Sequence, residues 1–416
     1  MKYLPRVVDN ELARQLKSAG AVVIEGPKAC GKTTTGRQFA ASEVLLDIDE
    51  NAKMALQVDP NLVLDGKVPR LIDEWQIEPK IWNHIRRAVD DRSNPGQFIL
   101  TGSSVPSDDI TRHTGAGRLT RIIMRPMSLT ETGNSSGEIS LKGLLNGTFS
   151  GCKDPGLTTE DLAGFICKGG WPIHLNLDMQ TSLQAVRDYL EEIRRVDIKR
   201  VDQTKRDPEK VGLLLRSLAR NAASPVSAAT LASDAGDSDA ALHDDTVRDY
   251  LEVLSRLMII EDQPAWAPHL RSRSRLRKSP KRHFIDPSLA VAALRASPER
   301  LFSDMQLFGL LFESMVVRDL RVYSQNSDAK VYHYRDSVGL EVDAVIECAD
   351  GKWAAFEIKL GTGKIDEGAK NLLDFADKID TSKCGKPAVL GIITGNGYGH
   401  VRKDGISVIP IGALGP

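Results

Sequence analysis

Residues 21–33 constrain this chain more than any other stretch. AVVIE (21–25) is a compact apolar run of strand length, followed at once by Gly26-Pro27-Lys28-Ala29-Cys30-Gly31-Lys32-Thr33 in the pattern GxxxxGK[ST], with a helical stretch over 32–42 behind it. A strand that breaks into a glycine-bearing loop and opens a helix is the context in which this pattern binds phosphate. The glycines let the backbone wrap closely round a phosphate with amide N–H groups pointing inward at a helix amino terminus. Residues Gly26 to Thr34 form the expected cradle, Lys32 reaches the β- and γ-phosphates, and Thr33 gives its hydroxyl to Mg²⁺. The expected ligands are therefore ATP and Mg²⁺.

Further strand-like runs follow at 44–49, 69–74, 98–103 and 119–126, separated by helical stretches such as 79–91. Strands alternating with helices predict a parallel sheet covered on both faces, an α/β domain assigned to residues 1–135. The third run ends in Asp73-Glu74. Adjacent acids at a strand end are common surface features, but after a phosphate-binding loop they suit phosphoryl transfer. Asp73 holds the magnesium through water, and Glu74 orients and polarises the attacking water. The run FILTGSS (98–104) ends in small polar residues, where open α/β sheets place ligand contacts.

On these elements the amino-terminal third resembles the AAA+ ATPases, in particular a bacterial and archaeal group with GP(K/R)xxGKTT, an LIDE element and an ILTGSS strand. The resemblance implies a sensor role for Ser103, ahead of Thr101 or Ser104. It also implies that a Gly-Arg pair, here Gly117-Arg118, precedes the last strand. Arg118 would neutralise charge on the γ-phosphate from its own chain or from a neighbouring copy, with Arg121 and Arg125 as alternatives. Pro126 with SLTE (128–131) and GGWP (169–172) also fit that group; GGWP is assigned no chemistry.

A chain of 416 residues is too long for one ordinary core. The Gly/Ser-rich stretch 132–156 reads as loop, and 136–206 is assigned to a linker and helical region. Residues 207–295 hold helices followed by a strand, an order that suits a winged helix. The formal net charge of −1 gives no global pull toward nucleic acid, but 271–282 (RSRSRLRKSPKR) is strongly basic and 233–245 is acidic. The basic stretch reads either as a phosphate-contacting wing on double-stranded DNA or as a solvated loop. Five scattered cysteines with no CxxC pair argue against a zinc site or a disulfide framework. No apolar run reaches the roughly 18 residues needed to cross a bilayer, and Asp9 and Glu11 interrupt any leader-like start. A cytoplasmic protein, monomer or homo-oligomer, with no membrane partner is expected.

Residues 296–416 form a further α/β unit. Asp343 lies in one strand-like run, and Glu357 and Lys359 alternate along the next. This spacing resembles the PD-(D/E)xK restriction-endonuclease-like fold, in which Glu313 on the preceding helix fits an additional acid. The same AAA+ group carries a similar carboxy-terminal region. The implied chemistry is metal-assisted attack on a phosphodiester, although the fold also serves as a binding module without cleavage. The reading is an ATPase whose nucleotide state is coupled to a DNA- or protein-interacting module. The alternatives are a metal-dependent nuclease switched by ATP, or a non-enzymatic, nucleotide-dependent DNA-binding or adaptor protein.

Overall fold

The apolar run Ala21–Glu25 (β1) is buried along its whole length, as a central strand must be when helices cover both faces of its sheet. A computed structural model describes residues 2–103, 114–198, 206–236, 242–268 and 279–416. In it β1 is flanked by Phe98–Gly102 (β4) and Leu119–Ile123 (β5), and Ser42–Leu45 (β2) and Arg70–Asp73 (β3) complete a five-stranded sheet in the order β2-β3-β4-β1-β5. Every pairing in it is parallel. Successive residues of a strand enter different cores. Ala21, Val23, Ile72, Phe98 and Leu100 pack with Trp75, Trp82 and Ile85 on one face. Val22, Ile24, Leu71, Ile99 and Ile122 pack with Val8, Leu12 and Met124 on the other.

The stretch 132–156 is more than a loop. Ile139–Ser140 (β6) pairs in parallel with Leu414–Gly415 at the carboxyl end. Ser140 then caps the short helix Leu141–Leu145, whose three leucines are buried. The glycines and serines here supply turns and a cap around a few core-filling residues.

Beyond it come the helices Thr159–Lys168, Met179–Glu192, Pro208–Arg220, Ala228–Ala235 and Asp244–Arg256. The last three lead into an antiparallel pair, Ile260–Gln263 (β7) and Lys281–Phe284 (β8). Most of the basic stretch, 271–278, lies outside the described residues, as do Ser104 and part of the acidic stretch. The carboxy-terminal unit is a mixed sheet in the order β13-β14-β12-β11-β10-β9. Ala329–Arg335 (β9), Glu341–Cys348 (β10) and Trp353–Lys359 (β11) are antiparallel. Leu390–Thr394 (β12) and Ser407–Pro410 (β14) run parallel to β11, and His400–Val401 (β13) closes the edge.

The helix Met305–Ser324 is buried over most of its length. It belongs to one continuous core that reaches from Val7 and Leu129, through the middle helices, to Leu414. Its polar residues join the units: Asp319 accepts from Leu129 N–H at 3.0 Å and Tyr323 O–H meets Thr130 Oγ1 at 2.9 Å. Among the described residues, no helix is long and apolar enough to cross a membrane.

Candidate functional site

The loop 26–33 leaves the carboxyl end of β1, where the ends of β3, β4 and β5 also converge. Two glycines permit its path. A Cβ on Gly26 would overlap the Met124 carbonyl just past β5, and Gly31 holds φ 105°, a conformation side chains resist. Lys32 opens the helix Lys32–Phe39 and is 5% exposed. Its ammonium is held by the loop carbonyls of Gly26 at 3.0 Å and Pro27 at 2.8 Å, so the charge sits inside the cradle. Cys30 is buried, its thiol directed at the Met124 carbonyl. Lys28 points out of the loop to Asp197.

Thr33, Asp73 and Thr101 form a line. Thr33 Oγ1 donates to Asp73 Oδ1 at 2.8 Å, and Thr101 Oγ1 at the end of β4 donates to the same oxygen. This places a hydroxyl and a buried carboxylate side by side at the mouth of the loop, a donor set that fits Mg²⁺ bound to nucleotide phosphates. Glu74 leaves β3 in the left-handed region, φ 52° and ψ 45°, which turns its carboxylate away from the strand direction. Gln76 and Ser103 bracket it: Gln76 Nε2 donates to Glu74 Oε2, and Ser103 Oγ lies 3.5 Å from the same oxygen. Ser103 is thus placed against Glu74, while Thr101, the less favoured residue on sequence, carries the contact to Asp73.

Arg118 is not brought to this site, which corrects the reading of it as a same-chain partner of the γ-phosphate. It precedes β5 at the amino ends of the strands, with its carbonyl bonded to Ala21 N–H. A five-residue strand, about 16 Å, separates it from the loop. Its guanidinium pairs instead with Asp90 at 2.7 Å. The alternatives are also engaged, Arg121 with Glu25 and Arg125 with Glu261 at 2.5 Å.

The sequence reading missed what surrounds the loop. Arg6, 6% exposed, donates to Cys30 O at 2.9 Å, to Arg125 O at 2.8 Å and to Glu131 at 3.0 Å. From the other side, GGWP docks on the domain: Met127 N–H donates to Gly170 O at 2.6 Å, and Pro172 lies against Gly31. Gly170 N–H and Arg318 share Asp286 Oδ2 at 3.0 and 2.7 Å. The Tyr189 ring packs at a tilt against Trp171, centroids 4.9 Å apart, and Asp197 at the end of the same helical run takes Lys28 at 2.6 Å. GGWP was the available signal. A tight turn with an aromatic and a proline has to dock on something, and here it is the phosphate-binding domain.

A second constellation lies in the carboxy-terminal sheet. Glu313, Asp343, Glu357 and Lys359 do come together. Lys359 Nζ lies 2.6 Å from Glu357 and 3.8 Å from Asp343. The β9–β10 register shifts between Val342 and Val345, a local irregularity at Asp343. A fifth member was read as part of the basic stretch: Lys281, 2.7 Å from Glu313, 2.8 Å from Glu341 and 3.3 Å from Asp343. Lys281 therefore faces carboxylates inside the protein, and its neighbour Arg282 reaches Asp262 and the Val226 carbonyl. Both are thus engaged within the chain, Lys281 buried and Arg282 partly exposed.

Three protein families match the chain in succession. Residues 18–133 match one described as an AAA domain. The amino-terminal domain is an AAA-like P-loop domain. Residues 159–300 and 308–414 match two families described as domains of unknown function, DUF8612 and DUF4143. Two uncharacterized proteins, Mb2031c of Mycobacterium bovis and Rv2008c of Mycobacterium tuberculosis, are each 25% identical over 353 residues, 84% of this chain and 72% of theirs. Among solved structures, the Walker-type ATPase paby2304 of Pyrococcus abyssi aligns with 69% of this chain and 94% of its own at 12% identity, with a TM-score of 0.42.

Proposed function

We propose that the chain is an ATPase that binds ATP with Mg²⁺ in the 26–34 loop and passes its nucleotide state to the middle and carboxy-terminal regions. The observation that carries this reading is the convergence of Thr33, Asp73, Thr101 and Glu74 at the mouth of a loop whose lysine is already inside the cradle. The loop amides and Lys32 bind and orient the phosphates, while Thr33 and Asp73 would hold the metal, whose chemistry is charge neutralisation on the transferring phosphoryl group. Glu74, aimed by its backbone and by Gln76 and Ser103, positions and polarises the attacking water. Pro172 and Asp197 meet the loop from the middle region at Gly31 and Lys28, so a shift of the loop has a direct mechanical route outward.

Steady-state ATP hydrolysis tests this, with and without double-stranded DNA. Glu74→Gln is expected to keep nucleotide binding and to lose turnover by about 100-fold or more, and Lys32→Ala to lose binding. Normal hydrolysis by both variants would sink the assignment. Stimulation by DNA would favour a nucleic-acid client, and indifference a protein one. Tight binding with no turnover in the wild type would favour an adaptor. Arg118, part-exposed at the far end of the sheet, is available only to a neighbouring copy, and a specific activity independent of chain concentration would remove that role. The metal-dependent nuclease alternative rests on the Asp343 constellation, whose internal cation bears on it directly.

A further inference from the structure

The acid cluster of the carboxy-terminal sheet already contains a cation. Alternation along β8 turns Lys281 and His283 inward and Arg282 outward. Lys281 is 2% exposed, and its three ammonium protons face three carboxylates, Glu313 Oε1, Glu341 Oε1 and Asp343 Oδ1, at 2.7, 2.8 and 3.3 Å. The second oxygen of Asp343 and both oxygens of Glu357 are also engaged. Asp343 Oδ2 accepts from Ile358 N–H at 2.9 Å and faces Lys359. Glu357 accepts from Asn371 at 2.7 Å on one oxygen and pairs with Lys359 at 2.6 Å on the other.

A magnesium ion would need about six oxygens at roughly 2.1 Å, several of them from these same atoms. Among the described residues no group of three or more His, Cys, Asp or Glu side chains is arranged to hold a metal ion. The donor set does not fit the metal that the nuclease-like spacing implies.

We infer that Lys281 is the permanent counter-ion of this cluster, occupying the place a divalent metal would take and bolting the β7–β8 pair onto the carboxy-terminal domain. Gln263, opposite Lys281 on β7, reinforces the joint by donating to the carbonyls of Tyr332 and Asp343, each at 2.9 Å. His283 bridges Gln263 and Ser314, both at 3.0 Å. Charge is consistent with this. Burial works to raise the Asp343 carboxyl, but Lys281 and Lys359 hold it below the usual range, as an anion. Burial and the neighbouring Asp343 push Glu313 up to about 8 and Glu357 up to about 7. The two buried ammoniums, Lys281 and Lys359, lie against these acids and offset much of the negative charge that would attract a dication. Burial works to lower the Lys281 ammonium, but Glu313 first, then Asp343 and Glu341, hold it well above the usual lysine range. The module is thereby a joint between the helical region and the end domain, and this holds whether or not the ATPase assignment does.

Binding of Mn²⁺ to the nucleotide-free full-length chain, read from the electron paramagnetic resonance of free Mn²⁺, tests the inference. Without nucleotide phosphates the amino-terminal loop does not supply a competing site. Wild type and Glu357→Gln are expected to bind Mn²⁺ equally poorly, and the wild-type melting temperature to be the same in Mn²⁺ and in EDTA. Lys281→Met, which keeps the length but not the charge, is expected to gain one Mn²⁺ per chain and to lose it again when Asp343→Asn is added. A wild-type site that Glu357→Gln abolishes would overturn the inference, as would a folded Lys281→Met that gains no Mn²⁺. If Lys281→Met does not fold, the comparison of wild type with Glu357→Gln decides alone.

Discussion

Asp73 is the residue on which the site turns, because one of its oxygens accepts from hydroxyls on two different elements, Thr33 of the loop helix and Thr101 of β4. A carboxylate that is 6% exposed depends on such donors to stay in place. Thr101→Val keeps the shape of a side chain that is 1% exposed and removes only the hydroxyl. It is expected to cost about 1 kcal/mol of stability and to slow ATP hydrolysis by roughly tenfold through a misplaced Asp73. The slowing should be relieved in part by higher Mg²⁺. Turnover measured across a magnesium titration checks this, and an unchanged rate and magnesium dependence would leave Thr101 a packing residue.

At the level of elements, the phosphate-binding loop is clamped from two sides that are remote in sequence. The strap is Arg6, which ties the loop at Cys30 to the end of β5 and to Glu131. Glu131 in turn accepts from Val7 N–H at 2.7 Å and Ser128 N–H at 2.8 Å. Both side chains of the Arg6–Glu131 pair are under 5% exposed, 4% and 3%. Removing one partner of such a pair leaves a buried charge behind, which typically costs about 3 to 5 kcal/mol. Arg6→Ala is expected to lower the melting temperature and to weaken ATP binding together, since the loop loses its hold on β5. A thermal melt with and without ATP reads both. A variant that melts earlier yet binds ATP normally would make the strap purely structural.

The whole molecule is held together at a three-way junction where Glu261 of β7 meets Arg125, just past β5, and Arg321 of the long helix at 3.2 Å. Burial acts to raise the Glu261 carboxyl, but the two guanidiniums outweigh it and hold it down at about 2. A carboxyl depressed in the folded state stabilises the fold above its unfolded value of about 4.3, and that contribution is lost as pH falls through the folded value. The melting temperature is therefore expected to be insensitive to this group from pH 7 to 5 and to fall between about pH 4.3 and 2. Glu261→Gln is expected to make that fall shallower. It is also expected to destabilise the chain by roughly 2 kcal/mol at pH 7, less than a fully buried pair because Glu261 is partly exposed. Thermal melts of both chains across this range test it, and parallel acid profiles would remove Glu261 as the group responsible.

Local pattern determined the sheet and its loop. An all-apolar run, a glycine-bearing turn and a helix start act over a dozen consecutive residues, and Asp73-Glu74 closes a strand whose parallel setting follows from helix–strand alternation. The acidic pair of β10 and β11 was legible for the same reason, since adjacent strands bring Asp343 and Glu357 together by spacing alone. What only the tertiary structure decided is everything that depends on which distant segments share a core. Arg118 and Ser103 read alike as polar residues beside strands, yet strand direction puts one at the far end of the sheet and the other against Glu74. Lys281 is one of seven cations in a stretch that reads either as a DNA-contacting wing or as a solvated loop, and the pairing of β8 with β7 places it, buried, against Glu313, Glu341 and Asp343. Charge and hydropathy along the chain do not encode that outcome. An ammonium is stable in the interior only where acids from other elements converge on it, and that convergence is a property of the folded chain.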